Sequence, residues 1–521
     1  MANQVSFSPG HDPEYPLRSA RRAGPDGGER TAGGYYINAA QKGEPPGVWF
    51  GSGLAALGLR EGQEVHPDDH LKVLDQRHPR TGESLGRRPD TGYAKTLARL
   101  RASEPHRTVA RDQELQRAAA QQHRPARPYT DCTVRYSKSV SVVHGSIREN
   151  ARQAALAGDL SAEAHWADVQ ARFAQVELHG AMAAMRRLDE WAMTRAGTFR
   201  QIDDQQFGRY EPAGLVANLW LQGTSLDGDP HDHVHCVIAR MCVTGSDGKW
   251  RAVDTMTLRH QGGVAKLLSN AYHQAALRQE FGLGWTSTVN GNEIAGVTPA
   301  QMDAYSSRRQ EITAETRRRC AEFEVAHGRA PNRAEVRRIN ELVWGETRKR
   351  KKDDLIDWDV LAAHWDATLG GELAQIAQDL GLGPGAQTAV TAAGQPPAGL
   401  SPAEAAEGRL DGWGPPLPEQ WAAEAAALAR VQAKHPAWTK SQLCGELADC
   451  LPPSIAELPP QAAMDLALQM ADRIINGEIQ TVVCLDAPEP ADERLRPEHR
   501  RDLDGRSVFV RPGVSRYATG V

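Results

Sequence analysis

The sequence predicts an α+β protein in which antiparallel strands lie between long helices, followed by a smaller acidic region. Three observations carry that expectation. Residues 161–196 space their apolar positions three and four apart, the period of an amphipathic helix. Residues 214–222 and 233–243 are rich in strand formers, and Gly223-Thr-Ser-Leu-Asp-Gly-Asp-Pro230 between them has turn composition. Ser246-Asp-Gly-Lys249 supplies a second tight turn into residues 250–253, so 214–253 reads as an antiparallel meander.

The remaining elements follow in order. Residues 1–34, rich in Gly, Pro and charge, read as irregular. A strand-like stretch covers Cys132 to Tyr136, after a loop at Arg124-Pro125. Helix returns over 262–281, and Asn290-Gly291 marks a hairpin. Residues 298–352 are strongly charged and mostly helical. The stretch 380–416 is dense in Gly, Pro and Ala, as linkers are. Helices are expected near 418–434, 439–450 and 460–476, with a short strand at 479–484. The expected division is 1–365, a linker over 366–416, and an acidic region over 417–521.

Charge divides along the same line. The 521-residue chain carries a net −5. Residues 1–352 hold 49 Lys and Arg against 41 Asp and Glu, whereas 353–521 hold 12 against 25. A basic half compatible with nucleic acid thus precedes an acidic one. No apolar run approaches the roughly eighteen residues of a membrane helix, and the N-terminus lacks the apolar core of a secretory signal. Seven cysteines without a Cys-x-x-Cys pair argue against a disulfide framework and a structural zinc site. A cytoplasmic protein is expected. No Gly-x-x-x-x-Gly-Lys-Ser/Thr loop is present to cradle a nucleotide.

The sharpest chemical feature is Asp229-Pro-His-Asp-His-Val-His235. On a strand, His231, His233 and His235 project from one face with Cα atoms about 6.5–7 Å apart stepwise. Neighbouring imidazoles can then converge on one cation at about 2.0–2.2 Å. A solvent-facing polar strand is the plain alternative, and three histidines in alternation after a turn weigh against it. Asp131 opens a second motif, where a carboxylate beside a ligating histidine would fix its tautomer. Lys138 in the same segment is a candidate phosphate contact. Tyr35 and Tyr36 follow a glycine pair; a phenol with a free pKa near 10 needs a cation or base to become a nucleophile.

These motifs together resemble a known family. Residues 34–59, GYYINAAQKGEPPGVWFGSGLAALGL, are similar to the N-terminal signature of MobF-type conjugative relaxases, of the HUH endonuclease superfamily. Residues 131–141, DCTVRYSKSVS, resemble their aspartate-strand motif, and 224–235, TSLDGDPHDHVH, their histidine motif. Segments 292–297 and 304–312 resemble the covering helical part, and the likeness runs over about residues 30–365. The resemblance implies a central antiparallel sheet with packed helices, a palm-like fold with a mobile helical cover over single-stranded DNA. It implies a divalent metal, Mg²⁺ or Mn²⁺ by availability, and attack by Tyr35 or Tyr36 on an origin-of-transfer strand, leaving a 5′-phosphotyrosine. His233 and His235 match the family's His-x-His pair. The third family histidine is replaced by Gln222, so Gln222 or His231 is the expected third ligand. Only Tyr15 stands where a further upstream tyrosine would be. Implied partners are single-stranded DNA, the origin hairpin, a coupling protein and the transfer machinery.

Further DNA contacts are expected from Arg317, Arg318 and Arg319 and from Arg348, Lys349 and Arg350, with Trp49, Trp220 and Trp250 as candidate base-stacking residues and buried core the leading reading for Trp220. The C-terminal region resembles the start of the segment that precedes the helicase in full-length relatives, and no helicase is expected within residues 417–521. The rival readings are a rolling-circle replication initiator with the same chemistry, a zinc hydrolase using the three histidines, and a relaxase remnant that binds DNA without cutting.

Overall fold

Alternation decides the centre of the molecule. Along Tyr129–Arg135 and Pro230–Ala239 the apolar residues fall mostly at every second position, and strand geometry sends that set to one face. The computed structural model describes residues 4–10, 45–86, 92–106, 108–122, 128–202, 205–347, 358–385, 417–486, 500–501 and 503–519. Tyr15, Tyr35, Tyr36, Arg348, Lys349 and Arg350 lie outside the described residues.

The central sheet is antiparallel, in the order β1 (Gln4–Gly10), β3 (Tyr129–Arg135), β7 (Pro230–Ala239), β6 (Ala217–Thr224), β2 (Val48–Phe50). A second sheet joins β4 (Met193–Ile202), β5 (Gln205–Gly214), β8 (Met241–Thr244) and β9 (Trp250–Ala252). The helices are α1 (Pro67–Leu74), α2 (Tyr93–Ser103), α3 (Val109–Gln122), α4 (Lys138–Ala157), α5 (Leu160–Glu190), α6 (Thr255–Phe281) and α7 (Pro299–Ala304). They continue with α8 (Ser307–His327), α9 (Arg333–Glu346), α10 (Trp358–Thr368) and α11 (Leu373–Asp379). The last three are α12 (Pro418–Lys434), α13 (Lys440–Leu447) and α14 (Pro460–Ile475).

One face of the central sheet is the main core. Cys132, Val134, Leu219, Leu221, Val234, Cys236 and Ile238 pack with residues of α4, α5 and α6. Gly158 ends α4 in the left-handed region (φ 67°), and Asp159 accepts hydrogen bonds from Ser161 N and Ala162 N to start α5 at once. On the opposite face, Trp49, Trp220, Val237 and Tyr129 are covered by Leu54, Leu57, Val73 and Leu74. That cover leaves His231, His233 and His235 on the remaining part of this face.

Several sequence expectations need correction. Residues 214–253 do not form one meander. β7 is already paired on both sides, by β3 and β6, so β8 and β9 have no edge to join and turn into the second sheet. The N-terminal stretch is not wholly irregular, because β1 finds its partner in β3, more than a hundred residues away. The linker expected over 366–416 contains α11, whose Leu373, Ala374, Ile376 and Ala377 are buried, and Asn150 Nδ2 of α4 donates to Ala374 O at 2.7 Å. The boundary at 365 also falls inside α10.

The acidic C-terminal region packs on α6. Val264, Leu267, Leu268, Ala271 and Ala275 share a core with Ala427, Val431, Leu443, Leu447, Ala467 and Met470. At the crossing, a Cβ on Gly263 would fall 1.7 Å from Ser441 O. Gly263→Ala is therefore expected to destabilise this contact by about 1–3 kcal/mol, since an added methyl must push backbone apart. A lower thermal midpoint with faster proteolysis of residues 417–486 checks it; an unchanged melt and digestion pattern counts against it.

Candidate metal centre

The histidine strand starts from a tightly held turn. Gly228 adopts φ 85° in the β6–β7 connection, and its carbonyl accepts from Trp365 Nε1 at 2.8 Å. Asp229 caps α8, accepting from Ser307 N at 3.0 Å and Ser307 Oγ at 2.8 Å. The turn that leads into His231 is thus tied to both α8 and α10. Past Gln222 the β6–β7 register shifts, and such irregularities re-aim neighbouring side chains.

On this strand His233 pairs with Gln222 of β6 on one side and Arg135 of β3 on the other. His235 pairs with Trp220 and Thr133. The rings of His233 and His235 lie 4.9 Å apart, edge to face, and His231 stacks on His233 at 5.0 Å. Two Nδ1 positions are already engaged. His235 Nδ1 donates to Asp131 Oδ2 at 2.8 Å, and His233 Nδ1 donates to His231 O at 2.8 Å. Each bond orients its ring and leaves Nε2 with the lone pair. Burial, then the neighbouring His235, pushes the His233 imidazole down to about 3, and burial holds His231 well below its usual range. A depressed imidazole pKa at His233, and rings at His233 and His235 each oriented through Nδ1, suit a divalent cation, so the residues present fit a metal.

Each expected site residue has a definite place where described. Asp131, His233 and His235 are brought together. Gln222, 6% exposed, stands directly across from His233. His231 shares the face and packs on His233. Among the described residues, the only three or more His, Cys, Asp or Glu ligand atoms lying within 4.8 Å of one another belong to His144, Glu177 and Asp232, on the other side of the sheet. The three histidines therefore do not close into such a set by themselves. Lys138 is buried, and its ammonium donates to Pro230 O at 2.6 Å; burial lowers its pKa to about 8. It braces the strand start rather than facing solvent. Arg318 pairs with Glu315 and Glu322, and Arg319 with Glu315 and Glu346, on the exposed α8–α9 hairpin; Arg317 is exposed there. Trp49 and Trp220 are buried at 0% and 2%, so neither presents a stacking surface, and Trp250 is half-buried.

Arg135 was missed by sequence reasoning. It lies across from His233 on the face that carries Asp131 and Thr133. The two-residue alternation Asp131, Thr133, Arg135 was the available signal. Asp131→Ala should weaken metal binding about 10–100-fold, because the freed His235 ring loses its orientation. Titration calorimetry with Mn²⁺ checks it, and an unchanged affinity would remove Asp131 from the site.

No helix among the described residues is long and apolar enough to cross a membrane. In comparisons with known proteins, the chain is 27% identical over 295 residues to the multifunctional conjugation protein TraI of Escherichia coli. That alignment covers 54% of this chain and 13% of TraI, a small fraction of the relative's length. Among solved structures it is similar to the conjugative relaxase TrwC in a metal-bound complex with oriT DNA, at 21% identity and a TM-score of 0.44, covering 72% of this chain and 98% of that one. TrwC complexed with a 27-mer DNA comprising the recognition hairpin and the cleavage site gives 20% identity and a TM-score of 0.43, over 71% and 98% of the two chains. The model of the TrwC relaxase family matches residues 10–370, a span holding both tyrosines, Asp131 and the whole histidine strand, and on that match the chain belongs to the TrwC relaxase family.

Proposed function

We propose that this chain is a metal-dependent, site- and strand-specific DNA nickase and strand-transferase acting at a plasmid origin of transfer, through a 5′-phosphotyrosine intermediate, to initiate conjugation. The observation that carries this reading is the His233–His235 pair on one strand face, each ring held through its Nδ1 by His231 O or Asp131 Oδ2. His233 and His235 would hold the cation, with Gln222 or His231 as the third ligand and Mg²⁺ or Mn²⁺ as the metal. When bound, such an ion polarises a non-bridging phosphate oxygen and stabilises transition-state charge. Asp131 orients His235. Arg135 adds a fixed positive charge beside the same face, suited to phosphate.

The phenol of Tyr35 or Tyr36 attacks the scissile phosphorus; the P–O3′ bond breaks and the 3′-hydroxyl leaves. A phosphodiester is exchanged for a phosphodiester, so the strand can be religated without ATP. The topology supports delivery of the phenol. The segment carrying both tyrosines runs from β1 to β2, at opposite edges of the sheet whose middle strand is β7. β2, which follows the tyrosine segment in the chain, lies two strands and about 10 Å from β7. Arg317, Arg318, Arg319, Arg348, Lys349 and Arg350 would follow the single strand. A coupling protein and the transfer machinery are the partners this function calls for, in the cytoplasm.

The test is relaxation of a supercoiled plasmid bearing the cognate origin. Relaxation with Mg²⁺ or Mn²⁺, arrested by chelator, is expected. Hairpin binding without relaxation under any metal would instead favour a non-cleaving remnant, consistent with Gln222 at the third histidine position.

A further inference from the structure

The strand that carries the histidines also carries Asp232, which points the opposite way, into the main core. There it meets His144 of α4 and Glu177 of α5, and the three side chains are 2%, 1% and 0% exposed. His144 Nδ1 lies 3.2 Å from Asp232 Oδ1 and 3.4 Å from Glu177 Oε2. Both are ion-pair contacts. Both ring nitrogens of His144, both carboxylate oxygens of Glu177 and Asp232 Oδ2 are buried without a hydrogen-bond partner. Buried polar atoms are almost always paired, so five orphans at one point require an explanation. His273 of α6, also fully buried with neither nitrogen partnered, stacks on Tyr136, whose hydroxyl bonds the Glu177 carbonyl.

We infer that His144, Glu177 and Asp232 form a second, buried divalent-cation site of the zinc class, separate from the histidine face. Ligands held at about 2.0–2.2 Å around a tetrahedral ion lie about 3.3–3.6 Å from one another. The observed 3.2 and 3.4 Å match that spacing, and a cation at their centre engages atoms that are otherwise orphaned. One imidazole with two carboxylates is an N/O donor set that zinc accepts. Such an ion would staple β7 to α4 and α5, fixing from behind the strand on which His231, His233 and His235 are displayed.

The test separates this site from the histidine face. The full chain carrying His233→Ala and His235→Ala is refolded with Zn²⁺, stripped of loose metal on a chelating resin, and its zinc measured per chain. One retained zinc is expected, lost when Glu177→Gln is added. Because that triple variant can fail to fold, zinc X-ray absorption of the double variant is the second measurement. It should show one imidazole among oxygen ligands. A double variant holding no zinc, or a bound zinc without an imidazole, or zinc retained by a folded triple variant, overturns the proposal.

Discussion

His235→Ala is expected to lower cleavage of a labelled single-stranded origin oligonucleotide by about 10²–10³-fold or more, with His233→Ala similar. The size follows from losing the several kcal/mol of transition-state charge stabilisation that a metal supplies at a phosphoryl centre. The two residues act as a unit. Each donates through Nδ1 to a fixed acceptor, Asp131 Oδ2 or His231 O, so each offers Nε2 from a prescribed direction. Removing either leaves the other, 4.9 Å away ring to ring, without its neighbouring imidazole. The fold should survive, because both side chains lie on the face opposite the main core formed by Val234, Cys236 and Ile238. Cleavage rates beside thermal melts check this. Normal cutting by both variants would remove these histidines from the mechanism.

Loss of the covalent DNA adduct is the second large effect. Tyr35→Phe is expected to abolish the protein-linked product while leaving oligonucleotide affinity within a few-fold. Phenylalanine keeps the ring and its packing and removes only the attacking oxygen. Tyr36→Phe should have the smaller effect if Tyr35 faces the metal, because adjacent residues point in different directions. The order Tyr35, Tyr36, Tyr15 is a prediction from motif position alone. A double Phe variant that still forms the adduct would place the nucleophile elsewhere, with Tyr15 next in line.

What the sequence made legible was mostly periodic and local. His231, His233 and His235 could be placed on one face because a strand repeats every two residues and a turn precedes them. Pairing was not legible. Asp131 reaches His235 diagonally, from a register in which it opposes Val237, and nothing within residues 129–135 specifies that register. Helix α4 escaped notice because Lys138–Asn150 is buried all round, leaving no amphipathic stripe to read. The β4–β5 hairpin, rich in Arg and Gln, lacked strand-like alternation. His144, Glu177 and Asp232 are single polar residues scattered over ninety positions, and only the packing of α4 and α5 on β7 gathers them. The docking of residues 417–486 was hidden by the linker composition before it, although the apolar residues around α6 were its available signal.

The most direct measurement of the central claim is peptide mapping of the covalent product. The full chain is incubated with an origin oligonucleotide in Mn²⁺ and in chelator, digested, and searched by mass spectrometry for a nucleotide-linked peptide. A 5′-phosphotyrosine on Tyr35 or Tyr36, formed with metal and absent with chelator, is the predicted result. An adduct of equal yield in chelator, or no adduct from an oligonucleotide that the protein binds, would contradict metal-dependent tyrosine transesterification.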